Sequence, residues 1–178
     1  GTAGEELAKG LEARGAEVIM IARDEVEPSA EEMREDFADR LSELMEDEDK
    51  ALTGVVYAWS LAQEPITEDT PAETVAKMVA DDSRAVIALG SSFDELRHGD
   101  SLPRIVLVTR NARSAPDGES MSVDGLTQAP LSTLLRTVSN EVGEIDMMQI
   151  DVDNAQLQAM DTLLDAILAP SAETEVIL

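Results

Sequence analysis

At 178 residues, 43% of them hydrophobic, the chain is one globular domain in size and long enough to bury a core. It has no cysteine and a single histidine, His98, which excludes disulfides, thiolate metal sites and multi-histidine metal centres. With 38 acidic against 13 basic residues, its net charge of −25 repels nucleic acid and anionic membranes, so neither is expected as a partner.

Strand-like and helix-like segments alternate along the chain, the pattern of an α/β fold around a mostly parallel sheet. The first helix starts near Gly4, carries Leu7, Ala8 and Leu11 on one face, and stops at the C-cap glycine Gly15. Glu17 to Ile21 is a short apolar run that reads as a buried strand. From Ser29 to about Asp47 runs an amphipathic helix, with Met33, Phe37, Leu41, Leu44 and Met45 at helical spacing and a Ser29–Glu32 capping box. Val55 to Trp59 is the next strand.

Thr70 and Pro71 signal a helix with proline at its first position, running to about Val79. A second helical stretch places Val86, Leu89, Phe93 and Leu96 on one stripe before Gly99. Strand Ile105–Thr109 is followed by a loop rich in Ser, Gly, Asp and Pro. Helix 128–142, strand 147–151, helix 154–168 and a strand from Glu175 to Leu178 complete the series. A doubly wound domain opens with a strand, whereas Gly1-Thr2-Ala3-Gly4 looks like the turn after one. The expectation is a single domain, 1–178, lying within a longer polypeptide, with its first strand ahead of Gly1.

No apolar run approaches the roughly 18–20 residues that span a bilayer, and no basic-then-apolar signal pattern is present. A soluble, cytoplasmic protein is expected. Aromatic residues amount to 2%, too few for base-stacking platforms.

Several residues invite a chemical reading. Gly1 and Gly4 ahead of a helix could be the remnant of a phosphate-cradling loop, but the full fingerprint needs three glycines, and Glu5 and Glu6 would repel a phosphate. Arg23 sits where an NADPH enzyme keeps a cation for the 2′-phosphate, yet Asp24 and Glu25 follow, so a solvated loop arginine is the favoured reading. A short-chain reductase needs a Tyr-x-x-x-Lys pair, in which the lysine lowers the tyrosine pKa for proton donation. The one tyrosine, Tyr57, lies within a strand and is followed four residues later by Leu61. No such pair exists.

His98 reads as a helix-end residue, and Ser114, Ser120 and Ser122 lack a nucleophile-elbow pattern. Glu43, Glu46, Asp47, Glu48 and Asp49 lack the glycine and alternating spacing of a calcium loop. Asp151 and Asp153 end a strand, a usual place for ligand carboxylates. Asp153 or Asn154 would instead cap the next helix. No catalytic, cofactor-binding or metal residue is assigned.

Five motifs in order carry a family resemblance: Glu6–Val18, Gly54–Leu61, Pro103–Ala112, Gln128–Glu141 and the strand ending Ile150–Asp153, with Glu173–Leu178 closing the series. Together they resemble the non-catalytic structural subdomain of a modular polyketide synthase ketoreductase, whose matching runs read "PRLWLVTRGAQ" and "QAPLWGLGR". Leu134-Leu135 departs from that family's Leu-Gly, and Ser132 from its common Trp. The resemblance implies a truncated Rossmann-like, short-chain dehydrogenase/reductase-like, doubly wound sheet. It also implies NADPH and the catalytic residues on a companion catalytic ketoreductase subdomain of the same polypeptide, with neighbouring synthase domains and, indirectly, a carrier-protein-bound acyl chain as partners. Two alternatives stay open: a pseudo-ketoreductase scaffold in a module without a working reductase, or a degenerate NADP-binding reductase.

Overall fold

A computed structural model describes residues 2–26, 29–46, 51–96, 102–113, 123–143, 145–153, 160–170 and 172–178. Helix α1 (Ala3–Ala13) begins on a capping box, in which the Thr2 hydroxyl accepts from the Glu5 N–H and the Glu5 carboxylate accepts from the Thr2 N–H. Its end is the expected one. Gly15 turns at φ 91°, and Gly15 N and Ala16 N bond back to the Glu12 and Leu11 carbonyls, a Schellman closure that favours glycine there. Helix α2 (Ala30–Met45) starts at Ser29, whose Oγ accepts from Glu32 N and donates to the Glu32 carboxylate.

Strands β1 (Gly54–Tyr57), β2 (Arg104–Arg110), β3 (Met147–Val152) and β4 (Glu175–Ile177) form one parallel sheet in that order. The register pairs Val55 with Ile105, Ile105 with Met147, and Ile150 with Val176. Helices α3 (Ala72–Ser92), α4 (Ala129–Val142) and α5 (Asp161–Leu168) complete the described elements. Side chains alternate across a strand, so Ile105 and Leu107 of β2 enter a core with Phe37, Leu89, Phe93, Leu131 and Leu135. Val106 and Val108 enter a second core with Leu7, Leu11, Met148, Ile150, Leu163 and Leu164. Helices therefore cover both faces: α2, α3 and α4 on one, α1 and α5 on the other. That is why β2 reads as an uninterrupted apolar run.

Close helix contacts rest on glycine. A Cβ on Gly90 of α3 would come within 2.7 Å of Val138 Cγ1 on α4, and one on Gly10 of α1 would run into Leu164 of α5.

Three expectations change. The helix ending near Val79 and the stretch after it are one helix, Ala72–Ser92. Between the two stretches, Asp81 pairs with Lys77 and Arg84 along the helix, and Asp82 turns inward to partners of its own. Pro71 is the N-cap rather than the first helical residue, and the Thr70 hydroxyl instead accepts from Thr67 N at 2.9 Å. Glu17–Ile21 forms no strand of the sheet, and Ile19 and Met20 are 59% and 51% exposed. Residues 154–159 of the expected helix 154–168 lie outside the described residues, and α5 begins at Asp161.

Phe93, which caps the carboxyl end of α3, is the largest fully buried side chain among the described residues. Phe93→Ala should lower unfolding stability by about 3–5 kcal/mol through lost contacts and a residual cavity, measured by urea denaturation.

Candidate functional site

In open α/β sheets ligands bind at the carboxyl ends of the strands. Here those ends carry two sets of buried polar side chains. The first surrounds Asp82, which α3 delivers on the same stripe as Val86, Leu89 and Phe93 and which is fully buried. Its Oδ1 accepts from Arg23 Nη1 at 2.6 Å and from Tyr57 Oη at 3.1 Å, and its Oδ2 accepts from Gln63 Nε2 at 2.6 Å. Tyr57 closes β1, and Gln63 follows the 3₁₀ turn Trp59–Ala62. The Arg23 guanidinium also lies 5.8 Å from the Trp59 ring centroid, within cation–π range. Trp59 Nε1 donates to the Ile21 carbonyl at 2.9 Å.

The second set surrounds Asp151 and Gln128. Asp151, buried on β3, accepts from Thr109 Oγ1 (2.7 Å) and from the backbone N–H groups of Ala112 and Arg113 (3.0 Å each). Gln128 accepts from Arg110 N at 2.8 Å and donates to the Ser60 carbonyl at 3.1 Å, while Ser60 Oγ donates to the Val108 carbonyl at 2.9 Å. Asn111 turns the chain at φ 53°, and Gly125 packs so tightly on it that a Cβ would run into the Asn111 carbonyl. The ends of β1, β2 and β3 are thus stitched to the loops above them by the chain's own polar groups.

This arrangement sets the chemistry of the tyrosine. Burial, and then the Asp82 carboxylate beside it, push the Tyr57 hydroxyl well above its ordinary range, with Arg23 pulling the other way. A short-chain reductase needs the opposite shift, which a lysine one helical turn along would supply. Burial likewise raises Asp82 above the usual carboxylate value, against the pull of Arg23.

Arg23 is not the solvated loop residue expected from Asp24 and Glu25. It is drawn onto a buried carboxylate supplied from α3. Gly4 lies in the first turn of α1, where Thr2 and Glu5 already satisfy backbone groups and place a carboxylate at the helix end. That carboxylate opposes a pyrophosphate at this helix end, and Arg23, the candidate for a 2′-phosphate, is engaged by Asp82. Glu43 and Glu46 are exposed at the end of α2 and beyond it. Asp153 is exposed just past β3. Gly1, His98, Ser114, Ser120, Ser122, Asp47, Glu48, Asp49 and Asn154 lie outside the described residues. Among the described residues no three acidic or histidine side chains gather as metal ligands, and no helix is long and apolar enough to cross a membrane.

Sequence reasoning missed Asp82, Gln63, Ser60 and Gln128. The signal for Asp82 was present: a carboxylate four residues before Val86, on the apolar stripe of its helix.

No protein-family model and no curated protein matches the chain. Among solved structures, a short-chain dehydrogenase/reductase from Vibrio parahaemolyticus aligns with 100% of this chain and 95% of that one, at a TM-score of 0.60 and 16% identity. At that identity the likeness establishes the fold, which is the short-chain dehydrogenase/reductase-like form of the Rossmann α/β architecture.

Absorbance at 295 nm reports Tyr57 alone, because it is the one tyrosine. The native chain should show no phenolate rise near pH 10 and ionise only with alkaline unfolding; a normal titration would contradict the buried pairing. Asp82 gives a second test. Its pKa is raised on folding, so its contribution to stability is complete below pH 3.8 and is lost as pH rises through the folded value. Asp82→Asn should remove that slope from the stability–pH curve, and Asp82→Ala should cost about 1–3 kcal/mol by leaving the buried Tyr57 hydroxyl and the Gln63 amide without their acceptor.

Proposed function

We propose that this chain is a non-catalytic structural subdomain supporting the NADPH-dependent β-ketoacyl reductase of a polyketide synthase multi-enzyme. One observation carries the reading: the strand ends that would form a reductase's catalytic crevice are bonded internally, and the sole tyrosine is locked against Asp82. The reductase-like fold and the ordered motifs resembling a ketoreductase structural half support it further. In this reading the chain packs against the catalytic half of the same polypeptide and holds its cleft in shape. The companion carries NADPH and the catalytic serine, tyrosine and lysine. The other partners are the neighbouring synthase domains and, at one remove, a carrier-bound acyl chain, all in the cytoplasm.

Calorimetric titration of the purified chain with NADPH should give no saturable binding, whereas adding the chain to its catalytic half should raise that half's thermal midpoint. Tight, saturable NADPH binding by the chain alone would overturn the proposal.

A further inference from the structure

Strand β2 ends at the carboxyl rim on Arg110, which is only 9% exposed. A guanidinium does not lose its proton in a protein, so this side chain carries a positive charge into the interior. A buried charge of that kind needs an opposite charge against it. Every other described arginine is at least partly exposed, and each sits on an aspartate or glutamate. Arg110, the buried one, meets no carboxylate among the described residues. In a chain with 38 acidic and 13 basic residues, this is not for want of acids.

The surroundings explain the gap. Side chains alternate across the sheet, so Arg110 shares the face of Val106 and Val108, while Thr109 and its partner Asp151 lie on the other. The Arg110 Nη2 donates to the Gln63 carbonyl at 3.2 Å. Its Nε–H is buried with no acceptor among the described residues. Gln63 has a loose end of its own. Its Nε2 is taken by Asp82 at 2.6 Å, but its Oε1 is buried and has no donor among the described residues. Asp82 itself is already paired with Arg23.

A cation with an idle donor is therefore bonded to a residue with an idle acceptor. A water molecule would serve both hydrogen bonds and leave the charge unbalanced. A carboxylate balances the charge through charge-assisted bonds, and a hydroxyl on the same molecule serves Gln63 Oε1. A phosphate would bring a second negative charge to a chain of net charge −25, which repels it more strongly than a monoanion. We propose that the Arg110–Gln63 corner binds a small hydroxy acid, with its carboxylate on the guanidinium and its hydroxyl donating to Gln63 Oε1. The corner uses neither Gly4 nor Arg23, and it calls for no dinucleotide.

Heteronuclear NMR of the nitrogen-labelled 178-residue chain follows the Arg110 Nε–H directly, as the side-chain peak lost in Arg110→Met. Glycolate or β-hydroxypropionate should move that peak saturably, and the better of the two should do so at a concentration roughly fivefold or more below that of acetate. Sodium chloride at the same ionic strength should leave the peak in place. Arg110→Met keeps an apolar stem and removes an unbalanced charge, so its thermal midpoint without added anion should be no lower than that of the parent chain. A peak that no carboxylate moves, that chloride moves equally, or that acetate moves as readily as both hydroxy acids would overturn the proposal. A midpoint several degrees lower in Arg110→Met would do the same, because the chain itself would then be holding the guanidinium.

Discussion

The buried carboxylate of Asp82 is the contact on which the upper half of this molecule depends. A charge removed from water is tolerated only when its oxygens are fully engaged, and Arg23, Tyr57 and Gln63 do this from three separate parts of the chain. One side chain of α3 therefore fixes the end of segment 16–23, the last residue of β1 and the turn that follows it. Truncating any partner leaves polar atoms stranded in a low-dielectric interior. That makes the cluster a strong constraint on which arrangement of these elements is compatible with the folded state.

The same logic repeats along the sheet. Asp151 gathers a threonine hydroxyl and two backbone N–H groups, and Gln128 bridges β2 to the turn after β1. In a working reductase this rim is where a nicotinamide and a carbonyl substrate would meet polar groups left open for them. Here Asp82, Asp151 and Gln128 are engaged by neighbouring side chains and backbone groups, while Gln63 Oε1 and Arg110 Nε are buried without a hydrogen-bond partner among the described residues. The tyrosine beside the rim has its proton held more tightly than in water, the reverse of what proton donation to a ketone asks. The chain keeps the layered form of a dinucleotide fold while its polar groups serve cohesion.

Much of the fold was legible in the sequence because it is encoded locally. The Ser29 cap, the Gly15 stop, the apolar run through Ile105–Thr109 and the stripe of α4 each depend on residues within a few positions. The candidate site was legible mainly in the negative, through Leu61 standing where a lysine would be needed. Its positive content was hidden. Arg23 looked cancelled by Asp24 and Glu25, and Asp82 fell unremarked between two stretches read as separate helices, because each finds its partner far along the chain. Arg23 and Asp82 are 59 residues apart, and Tyr57 and Asp82 are 25 apart.

The sequence by itself determined where α1, α2 and α4 lie, that Ile105–Thr109 is a strand, and that no tyrosine–lysine pair exists. These follow from periodicity, capping and residue identity, which act over one or two turns of chain. Only the tertiary structure decided that α3 runs unbroken through two aspartates, that Gly10 and Gly90 are sites of close approach, and that Glu17–Ile21 stands away from β1. Each of these turns on what lies opposite a residue in space. An apolar, extended segment becomes a strand only where a neighbouring backbone edge lies close enough to take its hydrogen bonds.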